Sequence, residues 1–300
     1  MSDTPLSNPN NYKLNLTIAR TFIYILIAAL TIICVIPLWV MVVNATRSNN
    51  EIFSGLTLIP GDKAIENFKT LIDGKIIDPV LGTRKDGLNI PHGLLNSAII
   101  AGLATFLAGY FSALTAYGFA LYSFRGKKAL WGIIMTVIML PPTVGLIGYY
   151  KLVAGLGLLD NYIPLIIPAI ASPFAVFFLR QYMSSALPLS LVEAARIDGA
   201  RELTIFHRIA LPIVMPGIAT ISILGFLGNW NSYLNPLIVL SNKDMFTMPL
   251  LIQQLNTSLY NRDFGAMYMG ISLSVIPILI MFSIFSKYLI EGITAGGVKE

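Results

Sequence analysis

TFIYILIAALTIICVIPLWVMVVNAT, residues 21–46, runs from Arg20 to Arg47 without one charged side chain, and its reading decides the fold. A helix needs about 20 consecutive apolar residues to cross the hydrocarbon core of a bilayer. Inside hydrocarbon every backbone N–H and C=O must be paired by the protein itself, so such a block reads as a helix. A membrane β-strand would alternate in polarity over about ten residues, and this block does not. About 20 residues precede it and no small-residue cleavage site follows, which argues against a secretion signal.

The same kind of interval recurs five times: Asp86 to Arg125, Lys128 to Lys151, Asp160 to Arg180, Arg208 to Lys243 and Asp263 to Lys287. Each is long enough for one span, so the chain is expected to be an all-α integral membrane protein of six transmembrane helices, at about 18–43, 93–122, 128–150, 160–185, 213–238 and 266–289. Composition agrees. Of the 300 residues 55% are hydrophobic and only 12% charged, half the share of a soluble domain, and mean hydropathy is +0.73. Cys34 is the single cysteine, and His92 and His207 lack ligand spacing, so disulfide, zinc and metal chemistry are not expected. The net charge of +5 gives no reason to invoke nucleic acid.

Alternate loops fall on opposite sides. Lys13, Arg20, Arg125, Lys127, Lys128, Arg180, Arg196, Arg201, Arg208, Lys287 and Lys299 share one side; most basic residues of the other side lie in 44–92, among Glu51, Asp62, Glu66, Asp73, Asp78 and Asp86. Basic residues in short loops near helix ends set orientation, which puts both termini in the cytoplasm and the chain in the cell's inner (plasma) membrane. A polar tail, 1–17, precedes the membrane domain, 18–290, and a short tail, 291–300, follows it. The second helix is rich in small residues (Gly102, Ala104, Ala108, Gly109, Ala113, Ala116, Gly118, Ala120). Such residues let helices approach closely in lipid, so this helix is expected at the centre of the bundle. Pro141-Pro142 in the third helix and Pro164, Pro168 and Pro173 in the fourth predict kinks.

The cytoplasmic loop 186–212 carries the functional signal. Ser190 and Glu193 have capping-box spacing, Gly199 suits a left-handed helix stop, and Leu203, Phe206, Ile209 and Ala210 form an apolar stripe. The expected product is a short helix, a glycine turn and a second short helix, with Pro212 and Pro216 opening the fifth span. An amphipathic knob of this kind either seats in a groove of a partner protein or lies on lipid; Glu193, Asp198 and Glu202 would face anionic head groups in the second case.

The order of Glu193, Ala194, Ala195, Gly199, Ile209, Leu211 and Pro212 resembles, with no departure, the coupling-loop signature of the permease subunits of ABC importers. Asp198, Ala200 and Phe206 are similar to the carbohydrate-importer branch. The tail Gly292-Ile293-Thr294-Ala295-Gly296-Gly297-Val298-Lys299 is similar to that of the second permease of maltose-type systems. The resemblance covers the chain from the first helix to its end. It implies a type I ABC importer permease architecture and a transport subunit without catalytic residues. The implied partners are a second homologous permease, two ATPase subunits that bind the ATP and Mg, and an extracytoplasmic solute-binding protein docking on 44–92 and 241–265. The cargo would be a sugar or oligosaccharide, with polyol-like solutes still open. The chain itself has no GxxxxGK[ST] phosphate loop.

Asn229, Trp230, Asn231, Tyr233 and Asn235 are candidates for the substrate path, since amides and aromatic faces grip sugars. Interfacial anchoring and helix–helix bonding explain the same residues equally, and the partner permease is the other candidate to hold the sugar. A secondary transporter of a small polar solute is the alternative function. It would normally carry ionisable residues within its spans, and these intervals have none.

Overall fold

The computed structural model describes residues 9–76, 84–86, 88–255 and 263–297, with side chains for 17–73, 88–141, 143–255 and 263–288. Helices dominate: α1 (Pro9–Asn44), α2 (Asn49–Phe53), α3 (Ala64–Asp73), a two-stranded pair β1 (Gly74–Ile76) and β2 (Arg84–Asp86), then α4 (Ile90–Leu121), α5 (Lys127–Met139), α6 (Leu146–Gly155), α7 (Ile163–Ile166), α8 (Pro173–Ala186), α9 (Leu189–Ile197), α10 (Glu202–Ile205), a π turn (Phe206–Ala210), α11 (Leu211–Trp230), α12 (Leu234–Val239), α13 (Met248–Leu255) and α14 (Phe264–Gly297). The chain divides into two compact units, Met1–Lys85 with Asn261–Ser272, and Asp86–Tyr260 with Leu273–Glu300.

In the first unit, α1 exposes its side chains throughout 17–39, as a lipid-facing helix must. The segment after it folds back by hydrogen bonding. Trp39 Nε1 donates to the Leu58 carbonyl at 2.9 Å, and Asn67 Nδ2 donates to the carbonyls of Ala45 (2.8 Å) and Arg47 (3.0 Å). Buried Arg47 donates to Asn44 Oδ1 and to the carbonyls of Gly55 and Glu51, so its charge is met by dipoles. Ser48 and Glu51 form a capping box at α2.

In the second unit, α4, α8 and α11 form the centre. Ala101, Ala104, Ala113 and Ala116 of α4 are fully buried, whereas a side chain at Gly102 or Gly118 would meet open space. The small-residue helix is therefore central, through its alanines. Helix α5 buries nothing.

Five helices are long and apolar enough to span a membrane: Thr17–Asn44, Ile90–Leu121, Ile163–Ala186, Glu202–Trp230 and Phe264–Tyr288. A sixth consists of Lys127–Met139 and Thr143–Gly155, bent by 88°. The bend follows Pro141-Pro142, where the residue before a proline is pushed out of helical geometry; Leu140 is accordingly extended. The two ends of this pair have different neighbours. Its start lies beside Tyr122, over whose ring Arg196 sits, while Val153 at its far end packs with Val239, Leu240 and Leu250. Counted as one broken span, the pair brings the crossings to six; counted as a re-entrant loop, it leaves five.

Element boundaries depart from expectation in several places. Helix α1 begins at Pro9 and α14 continues to Gly297. The fifth span stops at Trp230, turns, and resumes as α12. The fourth opens with two short turns before Pro173. Residues 1–8 and 298–300, parts of the expected tails, lie outside the described residues, as do 77–83 and 256–262 within the two expected docking segments.

Candidate functional site

Loop 186–212 folds differently from its sequence expectation. No capping box forms at Ser190: the helix starts two residues earlier, behind Pro188, whose extended backbone breaks the chain from α8, and no side chain caps it. There is also no separate second helix. α10, the π turn and α11 follow without interruption, so the chain enters the fifth span as one rod. Pro212 fails to stop it because the turn before it is widened: the Leu211 N–H reaches back to the Phe206 carbonyl, five residues away. A proline ring clashes with the carbonyl four residues earlier in a regular helix, and the wider turn relieves that crowding.

The glycine stop is as expected. Gly199 has φ 78°, its N–H donates to the Arg196 carbonyl, and the Ala200 N–H donates to the Ala195 carbonyl, both at 3.0 Å. Those two bonds are a Schellman motif.

Helix α9 is two-faced. Val192 and Ala195 are buried among Met183, Leu187, Ile205, Phe206 and Ala210. On the opposite face Ser190, Glu193, Ala194 and Ile197 are exposed, Ile197 to 86%. Among the described residues Glu193 has no hydrogen-bond or ion-pair partner. Asp198 and Gly199 are exposed beside it. Of the expected stripe, Phe206 and Ala210 are fully buried, Ile209 is half-buried and Leu203 is exposed. Leu211 is half-buried against the same core.

Contacts to α4 that the sequence reading did not anticipate lock this arrangement. Arg196 Nε donates to Glu202 Oε1 at 2.7 Å across the glycine turn, and the Tyr117 hydroxyl of α4 donates to Glu202 Oε2 at 3.1 Å. The hydrogen bond to Glu202 holds the Arg196 guanidinium above its ordinary pKa, while burial pushes the Tyr122 phenol up. Phe206 inserts between Tyr110 and Tyr117 of α4, with ring centroids 6.1 and 5.4 Å away. His207 Nδ1 bonds to the Leu203 carbonyl at 2.7 Å and its Nε2 to the Tyr110 hydroxyl at 3.1 Å. With Nδ1 on a carbonyl, that nitrogen carries the proton. The signal was present in sequence as Arg196 and Glu202 flanking a glycine, but their partners on α4 lie far away along the chain.

The candidate substrate-path residues do not form one surface. Trp230 is buried, stacked on Phe226 at 5.5 Å, and donates from Nε1 to the Ser274 carbonyl at 3.1 Å. Asn229 and Asn231 each bond back to a carbonyl one turn earlier. Tyr233 is half-buried, and Asn235 is exposed in α12. A cavity of about 150 Å³ lies between α4, α8 and α11, lined by Thr105, Gly109, Ser172, Phe174, Ile221 and Gly225 among others. Thr105 Oγ1 is buried without a partner. No group of three His, Cys, Asp or Glu side chains gathers among the described residues.

Comparison with known proteins supplies the context for this site. The arabinooligosaccharides transport system permease protein AraQ of Bacillus subtilis (strain 168) is 33% identical over 90% of this chain and 92% of its own. The lactose transport system permease protein LacG of Rhizobium radiobacter is 29% identical over 92% and 95%. A chain in the crystal structure of a bacterial ABC transporter involved in the import of the acidic polysaccharide alginate superposes with a TM-score of 0.72, covering 95% of this chain and all of that one; at 20% identity the likeness is one of fold. The family model described as binding-protein-dependent transport system inner membrane component matches residues 105–294, which contain α9, the glycine turn and the π turn. The chain belongs to that family of transport-system membrane components.

Proposed function

We propose that this chain is one permease subunit of an ATP-driven, binding-protein-dependent importer of a sugar or oligosaccharide. The observation that carries the reading is the two-faced α9: one face is locked into the core at Val192 and Ala195, and the other presents Glu193, Ala194 and Ile197 to solvent. A short helix so held transmits a push without bending. Its free face seats in the groove of an ATPase subunit, and hydrolysis of ATP with Mg takes place there. Two ATPases, a second homologous permease and an extracytoplasmic solute-binding protein complete the assembly, with both termini cytoplasmic. The cargo class is supported by relatives whose names specify arabinooligosaccharides and lactose. Asn231 and Asn235, exposed at the broken end of the fifth span, are the sugar contacts, and Asn229, Trp230 and Tyr233 hold that end in shape.

The test is site-directed crosslinking in the assembled complex with exposed Cys34 changed to serine. An Ile197→Cys variant should capture an ATP-hydrolysing subunit, with a yield that changes with nucleotide. If no position on the free face of α9 captures one in an active complex, the coupling role is wrong.

A further inference from the structure

We infer that the start of α5 and the end of α8 form a binding site for the head group of an anionic phospholipid in the leaflet on the α9 side. The inference rests on the membrane reading alone and not on ATP coupling. Arg180 of α8 lies over the ring of Trp131 of α5, with Cζ 4.0 Å from the ring centroid, and Trp131 packs against Phe119 and Phe177 at 5.4 and 6.1 Å. The Arg180 Nε is buried and has no hydrogen-bond partner. Lys127 and Lys128 precede Trp131 by four and three positions, so they lie over the same turn of helix. Lys127 Nζ donates to the Tyr122 carbonyl at 2.7 Å. Lys128 and Arg125 are exposed, and among the described residues neither they nor Arg180 has an acidic partner. None is available nearby in sequence, because no Asp or Glu occurs between Asp86 and Asp160.

The buried Arg180 Nε lacks the partner that a buried charged group needs, and the exposed cations beside it attract anionic head groups. What lies beside this one is indicated by the rest of α5, where Leu130, Ile133, Val137, Met139 and Leu140 are all exposed and no residue is buried. An apolar wall below and four cations at the rim match a lipid with acyl chains and an anionic phosphate. The planar guanidinium held on an aromatic face offers the paired N–H donors that phosphate oxygens accept, and Trp131 sits where indoles collect, at the head-group level. A soluble anion would use the cations but not the wall.

Trp131 is the built-in probe. The assembled importer is placed in nanodiscs containing brominated phosphatidylglycerol or brominated phosphatidylcholine at equal mole fraction. The Trp131 contribution is taken as the difference from a Trp131→Phe variant, since Trp39 and Trp230 also emit. The expected result is stronger quenching by the anionic lipid, with the preference falling about fivefold for each of Arg180→Gln and Lys128→Gln, from the usual value of one surface cation near anionic lipid. Lys128 is exposed, so its variant keeps the test alive should Arg180→Gln misfold. Equal quenching by the two lipids, or a preference that survives both substitutions, overturns the inference. Absence of quenching by either lipid, relieved when the ATPase subunits are stripped away, also overturns it and assigns the cluster to a protein partner.

Discussion

Gly199 offers a test in which conformation and bulk can be separated. A Cβ added there meets nothing within 4 Å, so a steric argument predicts that Gly199→Ala is silent. The backbone argument predicts otherwise, because φ is 78° and an L-residue in the left-handed region costs about 1–2 kcal/mol. That strain falls on the two bonds that end α9, Gly199 N–H to Arg196 and Ala200 N–H to Ala195. A cost of about 1–2 kcal/mol multiplies the open population of this turn about 5–30-fold. The readout is hydrogen exchange on peptides covering 195–205 in the purified permease, away from any partner surface. Exchange should rise in the order Gly, Asn, Ala, Val, since asparagine tolerates the left-handed region. Identical protection in all four proteins would refute the backbone account. Asparagine as damaging as valine would show that side-chain size, not φ, governs the turn. In the assembled importer, Gly199→Asp should leave the protein in the membrane while uncoupling ATP hydrolysis from uptake.

Exchanging Arg196 and Glu202 (Arg196→Glu with Glu202→Arg) should restore most of the coupling lost in either single variant. The pair is more than one-third exposed, so its direct worth is only about 0.2–1 kcal/mol, and uptake per ATP is the sensitive measurement. Asp160 accepts the Ser241 and Asn242 N–H groups at 2.5 and 2.8 Å, which holds its pKa below the ordinary carboxylate value. A depressed folded value means that the stabilisation is complete above the ordinary pKa and is lost as pH falls through the lowered one. Thermal stability should therefore be flat from pH 8 to 5 and fall in acid, with Asp160→Asn lacking the portion of that fall due to this group. A Cβ on Gly217 would lie 2.8 Å from the Tyr182 ring, so Gly217→Ala should destabilise the α8–α11 seam by about 1–3 kcal/mol, measured as a lowered melting temperature in detergent. Pro212→Ala returns an N–H to the helix and lets the π turn tighten; loss of coupling with unchanged membrane insertion is expected, and unaltered uptake would mean that the widened turn is incidental.

Charge spacing alone made the long apolar spans legible, because a charge in hydrocarbon is costly wherever it falls in the chain. The αL stop at Gly199 was legible for a similarly local reason. The capping box was not: Ser190 and Glu193 have the right spacing, but Pro188 already ends the preceding helix and its extended backbone starts the next one two residues early. Local spacing states what a pair is able to do, and the chain direction around it decides whether it does. Pro212 misled for the opposite reason. A proline reads as a boundary unless the turn before it is widened, and here the widened turn begins at Phe206, which packs against Tyr110 and Tyr117 of α4, far away along the chain. The Asn229–Asn235 cluster looked uniform in sequence, yet the helix break after Trp230 buries the indole and leaves Asn231 and Asn235 outside.

Where a push on α9 goes follows from what α9 touches. Its buried side meets Met183 and Leu187 at the end of α8, and Ile205, Phe206 and Ala210 on the rod that becomes α11, while Glu202 and His207 tie that rod to Tyr117 and Tyr110 of α4. Close-packed side chains transmit displacement and do not absorb it, so α4, α8 and α11 would receive such a motion together. Those three helices also line the open pocket of about 150 Å³ beside the unpaired Thr105 hydroxyl, so an input from α9 would arrive at a place that is neither fully packed nor fully hydrogen-bonded. Alternative packings cost least there, because few contacts must be broken to reach them. A stiff knob at one end and an open pocket along the same helices would, on the proposed coupling role, let a small rotation at the membrane surface become a change of helix packing within it.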